Sequence, residues 1–368
     1  MKVIITGGGT GGHIYPGLAI AKSIEDKYSQ AKILFVGNAD GLEADIVPQV
    51  GYELATISSK GLPRKISLDI LKSLFLSGVG VWQARSLITS FQPNIVIGTG
   101  GYVSGPVMLV AALLKEKTII HEQNAYPGLT NKLLARLVDK VALSSQDAKE
   151  HFNVSTDLIW TGNPIRKEVI QAKKKESCQE LGLDIEKKII LVFGGSRGAK
   201  SINQAMKAVY KLAQKNSQIQ VLHITGKNDF HRVKEDATTL GISELEKGNI
   251  IIKSYLYNMA AGLAAADLVI SRAGATGLAE ITARGIPAIL IPYPYAAENH
   301  QEHNARSLEK RGAAKVILDD ELTGEKLVKE VNNLIFDQDK LKSMAQASKK
   351  LGKPEAVENI LRLVEELI

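Results

Sequence analysis

The sequence predicts an α/β protein made of two doubly wound halves, each a parallel sheet with helices on both faces. Three observations carry this. Apolar runs of strand length alternate with stretches of helical spacing along most of the chain, the pattern of consecutive βαβ units. A glycine-rich turn follows the first of these runs, and a similar one recurs past mid-chain after Lys188–Phe193. The 368 residues also exceed the size at which one hydrophobic core keeps growing, so two domains are expected.

The first strand, Val3–Thr6, leads into Gly7-Gly8-Gly9-Thr10-Gly11-Gly12-His13 and a helical pattern opened by Pro16. Glycines let the backbone turn sharply near a ligand, and the N–H groups at the start of the next helix favour an anion. Gly7, Gly9 and Gly12 satisfy the dinucleotide pattern G-x-G-x-x-G, which calls for an acidic residue at the end of the second strand to hold a ribose. That strand, Lys32–Val36, ends instead in Gly37-Asn38, and Asp40 comes too late. The turn therefore expects a different phosphate-bearing ligand. Strand candidates continue at Glu53–Ile57, Asn94–Gly98, Thr118–His121, Lys140–Leu143 and Asp157–Trp160, and Gly162-Asn163-Pro164 breaks the series as a boundary would.

The scheme restarts at Lys188–Phe193, followed by Gly194-Gly195-Ser196-Arg197-Gly198-Ala199 and a helical run. Later strands are expected at Ile219–Ile224, Ile250–Tyr255, Asp267–Ser271, Ala288–Ile291 and Ala314–Ile317. Past Thr323 the pattern is helical, and Pro354 opens a last amphipathic segment with Val357, Ile360, Leu361 and Val364 on one face. Ligands of open α/β sheets bind at the carboxyl ends of the strands. Two halves facing each other would hold their ligands in a cleft.

With 45% hydrophobic and 23% charged residues the chain is of the soluble globular type, and its net charge of +7 suits an anionic partner: nucleic acid, membrane surface or phosphorylated substrate. No zinc-ligand spacing, aromatic RNA motif or long basic run supports nucleic acid. The single cysteine, Cys178, cannot form an intramolecular disulfide, and no signal peptide is evident, so a cytoplasmic location is expected. The nearest approach to a membrane span, Ser73 to Ala84 between Lys72 and Arg85, falls well short of the ~18 apolar residues required.

Two further stretches carry candidate chemistry. In Ser271-Arg272-Ala273-Gly274-Ala275-Thr276-Gly277-Leu278-Ala279-Glu280, small residues keep a helix start open, and Glu280 stands one to two turns in, where a carboxylate accepts ribose hydroxyls or serves as a capping acid. In Glu298-Asn299-His300-Gln301-Glu302-His303-Asn304, the hydrogen-bonding side chains suit a sugar, or equally a solvated first turn.

These motifs, together with Gly98-Thr99-Gly100-Gly101-Tyr102-Val103-Ser104-Gly105-Pro106, His121-Glu122-Gln123-Asn124, Gly162-Asn163-Pro164-Ile165-Arg166 and Gly194-Gly195-Ser196, resemble nearly end to end the MurG family, bacterial peripheral-membrane transferases that add N-acetylglucosamine to lipid I to make lipid II for peptidoglycan. The resemblance implies the two-Rossmann GT-B fold. It implies an N-terminal acceptor and membrane domain (1–163), a C-terminal UDP-sugar domain (164–353) and a final helix (354–368) packed back on the N-terminal half. Carried over by position, the donor UDP-N-acetylglucosamine meets Arg166 and Ser196 near its diphosphate, Ala275, Thr276, Gly277, Leu278, Ala279 and Glu280 around phosphate and ribose, Leu256 near the uracil and Gln301 on the sugar. Thr10, Gly11, Gly12 and Asn124 complete that site. The family often has two adjacent glutamines where this chain has His300-Gln301, a local departure.

The missing acid and the second nucleotide-type half turn the first glycine loop toward the lipid I diphosphate, with Gly8, Gly9, Gly100, Gly101 and Tyr102 as acceptor contacts. The implied reaction is attack of the muramyl 4-hydroxyl on the anomeric carbon with inversion, which needs a general base and stabilisation of departing UDP. His13 is the candidate base, its ordinary pKa of ~6.5 suiting proton transfer near neutrality; it serves equally as a residue ordering the loop. The one Asp-x-Asp, Asp337-Gln338-Asp339, follows a helical run and reads as a helix cap, so no cofactor and no essential metal are expected. Lys60, Arg64, Lys65, Lys72 and Arg85 around Leu71, Leu74, Phe75, Leu76, Val79 and Trp82 suit an anionic cytoplasmic leaflet, or an ordinary core face. The resemblance also implies a role in cell shape and division, with other cell-wall synthesis proteins as partners. The rivals are a UDP-N-acetylglucosamine 2-epimerase of shared architecture and a non-catalytic membrane-recruiting subunit built on one half; the presence of both halves disfavours the latter.

Overall fold

The computed structural model describes residues 1–59, 69–195, 198–242 and 244–368, with side chains from residue 78 onward in the helix Asp69–Phe91. Packing divides the chain into two units, Met1–Ile165 with Pro354–Ile368, and Arg166–Lys353. Unit 1 holds strands β1 (Lys2–Gly7), β2 (Lys32–Gly37), β3 (Glu53–Thr56), β4 (Ile95–Gly100), β5 (Thr118–Glu122), β6 (Lys140–Leu143) and β7 (Asp157–Trp160). They form one parallel sheet in the order β3-β2-β1-β4-β5-β6-β7. Val3, Ile4 and Ile5 are fully buried because helices cover both faces, and a strand buried on both faces reads as a continuous apolar run.

Alternation along β1 sorts the core into two layers. Ile4 and Val96 pack under Ala84, Ile88, Val107 and Met108 from the helices Asp69–Phe91 and Ser104–Leu113. Val3, Ile5, Ile95 and Ile97 pack under Ile14, Ile20 and Ile24 of the helix Gly11–Lys27 and under Ile360, Leu361 and Val364 of the last helix, Ala356–Leu367. Burying the four aliphatic side chains that this helix gives to the layer, Ile360, Leu361, Leu363 and Val364, contributes on the order of 6–12 kcal/mol before conformational entropy is subtracted. The far end of the chain is thereby part of unit 1's core.

Unit 2 repeats the plan with β8 (Lys188–Phe193), β9 (Ile219–Ile224), β10 (Ile250–Lys253), β11 (Leu268–Ser271), β12 (Ala288–Leu290) and β13 (Ala314–Val316), ordered β10-β9-β8-β11-β12-β13. In both sheets the strand order reverses at the centre, between β1 and β4 and between β8 and β11. Those reversals are where open α/β sheets bind ligands, and each is flanked by a glycine loop.

Several local expectations meet the structure directly. Asp337 caps the helix Gln338–Leu351 by accepting from Lys340 N–H at 3.0 Å, Thr323 caps Gly324–Ile335 through Lys326 N–H, and Gly285 ends Ala275–Arg284 at φ +67°, the left-handed position that favours glycine. One expectation is corrected. The first helix begins at Gly11, not Pro16, and carries Pro16 inside it, since Gly11 and Gly12 are free to take helical angles and Pro16 forfeits a single hydrogen bond.

In the basic and apolar segment, Trp82 is 71% exposed and Arg85 is exposed, while Ala84 and Ile88 are buried. Lys60, Arg64 and Lys65 and the side chains of Leu71, Lys72, Leu74, Phe75 and Leu76 lie outside the described residues. Among the described residues no helix is long and apolar enough to cross a membrane.

Candidate active site

At the unit 1 reversal the loops after β1 and β4 are joined backbone to backbone. Gly8 N–H donates to Gly100 O at 3.2 Å. A Cβ at Gly101 (φ +85°) would stand 2.3 Å from Gly8 O, and one at Gly100 (φ +107°) 2.6 Å from His13 Nδ1. Neither position has room for a side chain. Gly8, Gly9, Thr10, Gly11, Gly12, His13, Gly100 and Gly101 are thus one constellation, with Tyr102 beside it, 62% exposed.

The acid that sequence reasoning sought at the end of β2 arrives from the next helix, Leu42–Gln49. Glu43 is fully buried, and its carboxylate accepts Gly9 N–H at 2.9 Å and Asn38 N–H at 3.0 Å. It fits because Gly8, Gly37 and Gly41 lack side chains: a Cβ on any of them would stand 2.1–2.5 Å from a Glu43 atom. The turn is braced from beneath by its own chain. With the Gly8 and Gly9 N–H groups taken internally, those two proposed acceptor contacts do not present donors to an anion. That leaves Gly11 and Gly12, where the helix starts and Thr10 stands as N-cap without a side-chain cap bond.

His13 Nδ1 lies 3.0 Å from Gln123 Oε1 and 3.1 Å from Thr99 O. Gln123, His121 and Glu122 come from β5 and the residue after it, all buried. Glu122 accepts from Asn124 N–H (2.9 Å), Asn124 Nδ2 (3.2 Å), Gly128 N–H (3.2 Å) and Asn131 Nδ2 (2.8 Å). Burial pushes its pKa up while those donors oppose the rise. Asn124, a donor-site candidate, is therefore fixed by Glu122.

In unit 2 the helix Ala275–Arg284 starts at the reversal, directly after β11. Ala275, Thr276, Gly277 and Ala279 are half-buried and Leu278 and Glu280 are buried. The Thr276 hydroxyl is buried with no hydrogen-bond partner among the described residues. Four residues on, Glu280 Oε1 accepts from Arg166 Nη2 at 2.9 Å and Nε at 3.2 Å. Burial raises the Glu280 pKa and the Arg166 charge opposes it. Arg166 and Glu280, assigned separately from the sequence, are one ion pair.

Gln301 Oε1 accepts from Ala273 N–H (3.2 Å) and Tyr293 N–H (3.0 Å), and Asn304 Nδ2 donates to Ala273 O (3.2 Å). The helix His300–Lys310 therefore grips both sides of Ala273 just before the helix start. Glu298 and Asn299 before it both take positive φ, +51° and +53°, a backbone strain that clusters at functional loops. Arg272 donates to Asp319 (2.5 Å), Ser201 Oγ (3.0 Å) and the carbonyls of Pro292 (3.0 Å) and Ile291 (3.2 Å). Since Ser201 stands in the first turn of the helix Lys200–Lys215 that follows the β8 loop, this guanidinium ties the β11 loop to that helix start. Leu256 is only 7% exposed and belongs to the core, so its side chain is taken up by packing. Ser196 lies outside the described residues.

Glu43, His121, Glu122, Gln123 and Arg272 are among the residues to which sequence reasoning gave no role. Gln123 and Arg272 sat inside quoted motifs; the signal for Glu43 was the trio of glycines that makes space for it.

The glycosyltransferase family 28 N-terminal domain matches residues 3–143 and the family 28 C-terminal domain residues 189–360. A Halothermothrix orenii protein named UDP-N-acetylglucosamine–N-acetylmuramyl-(pentapeptide) pyrophosphoryl-undecaprenol N-acetylglucosamine transferase is 52% identical over 100% of this chain and 99% of its own. A protein of the same name from Desulforamulus reducens is 48% identical over the same shares. Among solved structures, Acinetobacter baumannii MurG superposes with a TM-score of 0.77 at 26% identity over 99% of each chain. The UDP-GlcNAc 2-epimerase of Neisseria meningitidis reaches 0.70 at 14% identity over 100% of both, a likeness of fold alone. With both domain models matched in order and about half of all positions identical to these relatives, the chain is a GT-B glycosyltransferase that belongs to family 28, among the UDP-N-acetylglucosamine–N-acetylmuramyl-(pentapeptide) pyrophosphoryl-undecaprenol N-acetylglucosamine transferases.

Proposed function

We propose that the chain transfers N-acetylglucosamine from UDP-N-acetylglucosamine to the muramyl 4-hydroxyl of lipid I, with inversion, giving lipid II. The observation that carries this is the Thr276–Glu280 pair. A buried hydroxyl at a helix N terminus, without a partner among the described residues, and a buried carboxylate one turn later, about 6 Å along one face, match a diphosphate followed by a ribose.

In this reading unit 2 takes the donor. The diphosphate lies at the start of Ala275–Arg284, where the helix dipole and N–H groups favour negative charge. Glu280 accepts ribose hydroxyls while Arg166 holds its other oxygen; the Leu256 backbone faces the uracil, and the Gln301 amide N–H₂ faces the sugar. Thr10, Gly11, Gly12 and Asn124 of unit 1 complete the donor contacts, and Gly100, Gly101 and Tyr102 take the acceptor. The 4-hydroxyl oxygen forms a bond to the anomeric carbon as its proton passes to His13. The bond from that carbon to the diphosphate oxygen breaks, and UDP departs with the electron pair. Helix N terminus and Arg166 supply the counter-charge, so the scheme uses no metal. Trp82 and Arg85, both outward, support peripheral docking of the 60–85 segment on the anionic cytoplasmic leaflet.

The test is an assay with UDP-N-acetylglucosamine and a short-chain lipid I analogue. Disaccharide product, with UDP released only when acceptor is present, is expected, and activity persists in chelator. UDP release or epimerisation without acceptor overturns the transferase reading, and loss in chelator restored by magnesium overturns the metal-free scheme. Unchanged binding to anionic vesicles after charge reversal at Lys60, Arg64 and Lys65 overturns the docking.

A further inference from the structure

The hydrogen bonds behind His13 run in one direction only. Gln123 Nε2 lies 2.6 Å from Thr99 O and 3.1 Å from His121 O. Both are carbonyl acceptors, so the reverse amide orientation would set oxygen against oxygen, and the Nε2 side is fixed. Oε1 then faces His13 Nδ1 at 3.0 Å, and the second neighbour of that nitrogen is also a carbonyl, Thr99 O at 3.1 Å. A nitrogen between two acceptors carries a hydrogen. Neutral imidazole has one N–H, so the lone pair is on His13 Nε2.

The other end is equally constrained. One Gln123 amide hydrogen goes to Thr99 O; the other is shared between His121 O and His121 Nδ1, the latter at 2.9 Å, and a hydrogen on that Nδ1 would face it. His121 therefore carries its hydrogen on Nε2, which lies 3.1 Å from Gly162 O and 3.1 Å from Ser144 Oγ. Complete burial holds His121 neutral, its pKa lowered to about 4, so the ring cannot become a second donor near neutrality.

We propose that Gln123 and His121 are positioning residues for the transfer reaction, which hold His13 as the tautomer with hydrogen on Nδ1 and the lone pair on Nε2 through a one-way chain anchored at the Gly162 carbonyl. Gly100 assists by giving the ring a wall without a side chain. The catalytic half rests on His13 as the general base; the tautomer does not.

The experiment is nitrogen NMR of the full chain labelled at histidine, with His13 assigned by its loss in His13→Ala, alongside steady-state kinetics. Wild type is expected to show His13 protonated at Nδ1, and Gln123→Met a mixture of tautomers. Turnover of Gln123→Met falls by about tenfold with KM for UDP-N-acetylglucosamine within about twofold, less than the roughly 10²–10⁴-fold loss from removing a general base. His121→Phe moves both readouts the same way, which serves if Gln123→Met fails to fold. Hydrogen on Nε2 in the wild type, or an unchanged spectrum and turnover in both variants, overturns the proposal. Full turnover in His13→Ala with the expected wild-type spectrum overturns the base reading and the catalytic half alone.

Discussion

Replacing Glu43 by glutamine changes one atom of a side chain that braces the first glycine turn. The carboxylate accepts one N–H on each oxygen, from Gly9 and from Asn38, at 2.9 and 3.0 Å. Glutamine keeps one acceptor and turns an N–H₂ group on the other donor. The lost charge-assisted bond costs about 1.5–3 kcal/mol, and a buried N–H left facing another donor adds to this, so about 2–4 kcal/mol is expected. For a unit of this size that is a drop of roughly 4–16 °C in melting temperature. Both tryptophans of the chain, Trp82 and Trp160, lie in unit 1, so their fluorescence follows the unit that contains the substitution. Gly41 supplies the control. Its φ of −89° suits any residue, so the cost of Gly41→Ala comes from its Cβ standing 2.4 Å from Glu43. That cost should shrink by more than about 1 kcal/mol in a Glu43→Ala background. A Glu43→Gln change within about 0.5 kcal/mol, the range of an ordinary surface substitution, together with additive double-variant energies, would refute the bracing role.

Arg272→Ala removes the donor from a mostly buried ion pair with Asp319 and strands two carbonyls, an expected loss of about 3–5 kcal/mol in circular-dichroism thermal unfolding; Arg272→Lys, unable to span four acceptors, recovers little of it. Glu280→Gln should raise KM for UDP-N-acetylglucosamine about 10–100-fold, the cost of a charged hydrogen bond, with turnover little changed, and an unaltered KM would remove Glu280 from the ribose. Acid should destabilise unit 1 through His121. Its pKa is lowered to about 4 in the fold from ~6.5 in the unfolded chain, so between these values the unfolded state binds more protons. The His121 contribution is complete above pH ~6.5 and is lost toward pH 4, at up to about 1.4 kcal/mol per pH unit. Glu122, raised by burial, acts in the opposite sense above its unfolded pKa, so the difference in fluorescence-monitored stability between wild type and His121→Gln isolates the histidine. A slope unchanged by His121→Gln would contradict its buried neutral state.

The strands were legible in the sequence for a physical reason. Covered on both faces, they must be nearly continuous apolar runs, so Val3-Ile4-Ile5 or Ile189-Ile190-Leu191-Val192 announce themselves without knowledge of their partners. Where burial stops, so does the signal: the third strand of unit 2 was expected to reach Tyr255 but ends at Lys253, with Tyr255 42% exposed. The glycine loops were legible because their conformational freedom is local. The residues that set the chemistry of those loops were not, because their roles arise from partners 34 residues away for Glu43 and Gly9, 47 for Arg272 and Asp319, and 110 for His13 and Gln123. No window of sequence contains both ends.

The first glycine turn shows what such a motif leaves undecided. G-x-G-x-x-G states that side chains are absent, not what fills the space. In a dinucleotide site the space receives a pyrophosphate, and an acid at the end of the second strand faces outward to a ribose. Here the acid sits five residues past Asn38, turns inward, and occupies the Gly9 donor of the turn. The same glycines therefore fit two opposite arrangements, one open to a ligand and one closed on the protein's own carboxylate, and the destination of each N–H separates them. With Gly8 bonded to Gly100 and Gly9 to Glu43, the turn is closed on the protein's own groups and seats the start of the helix that carries His13.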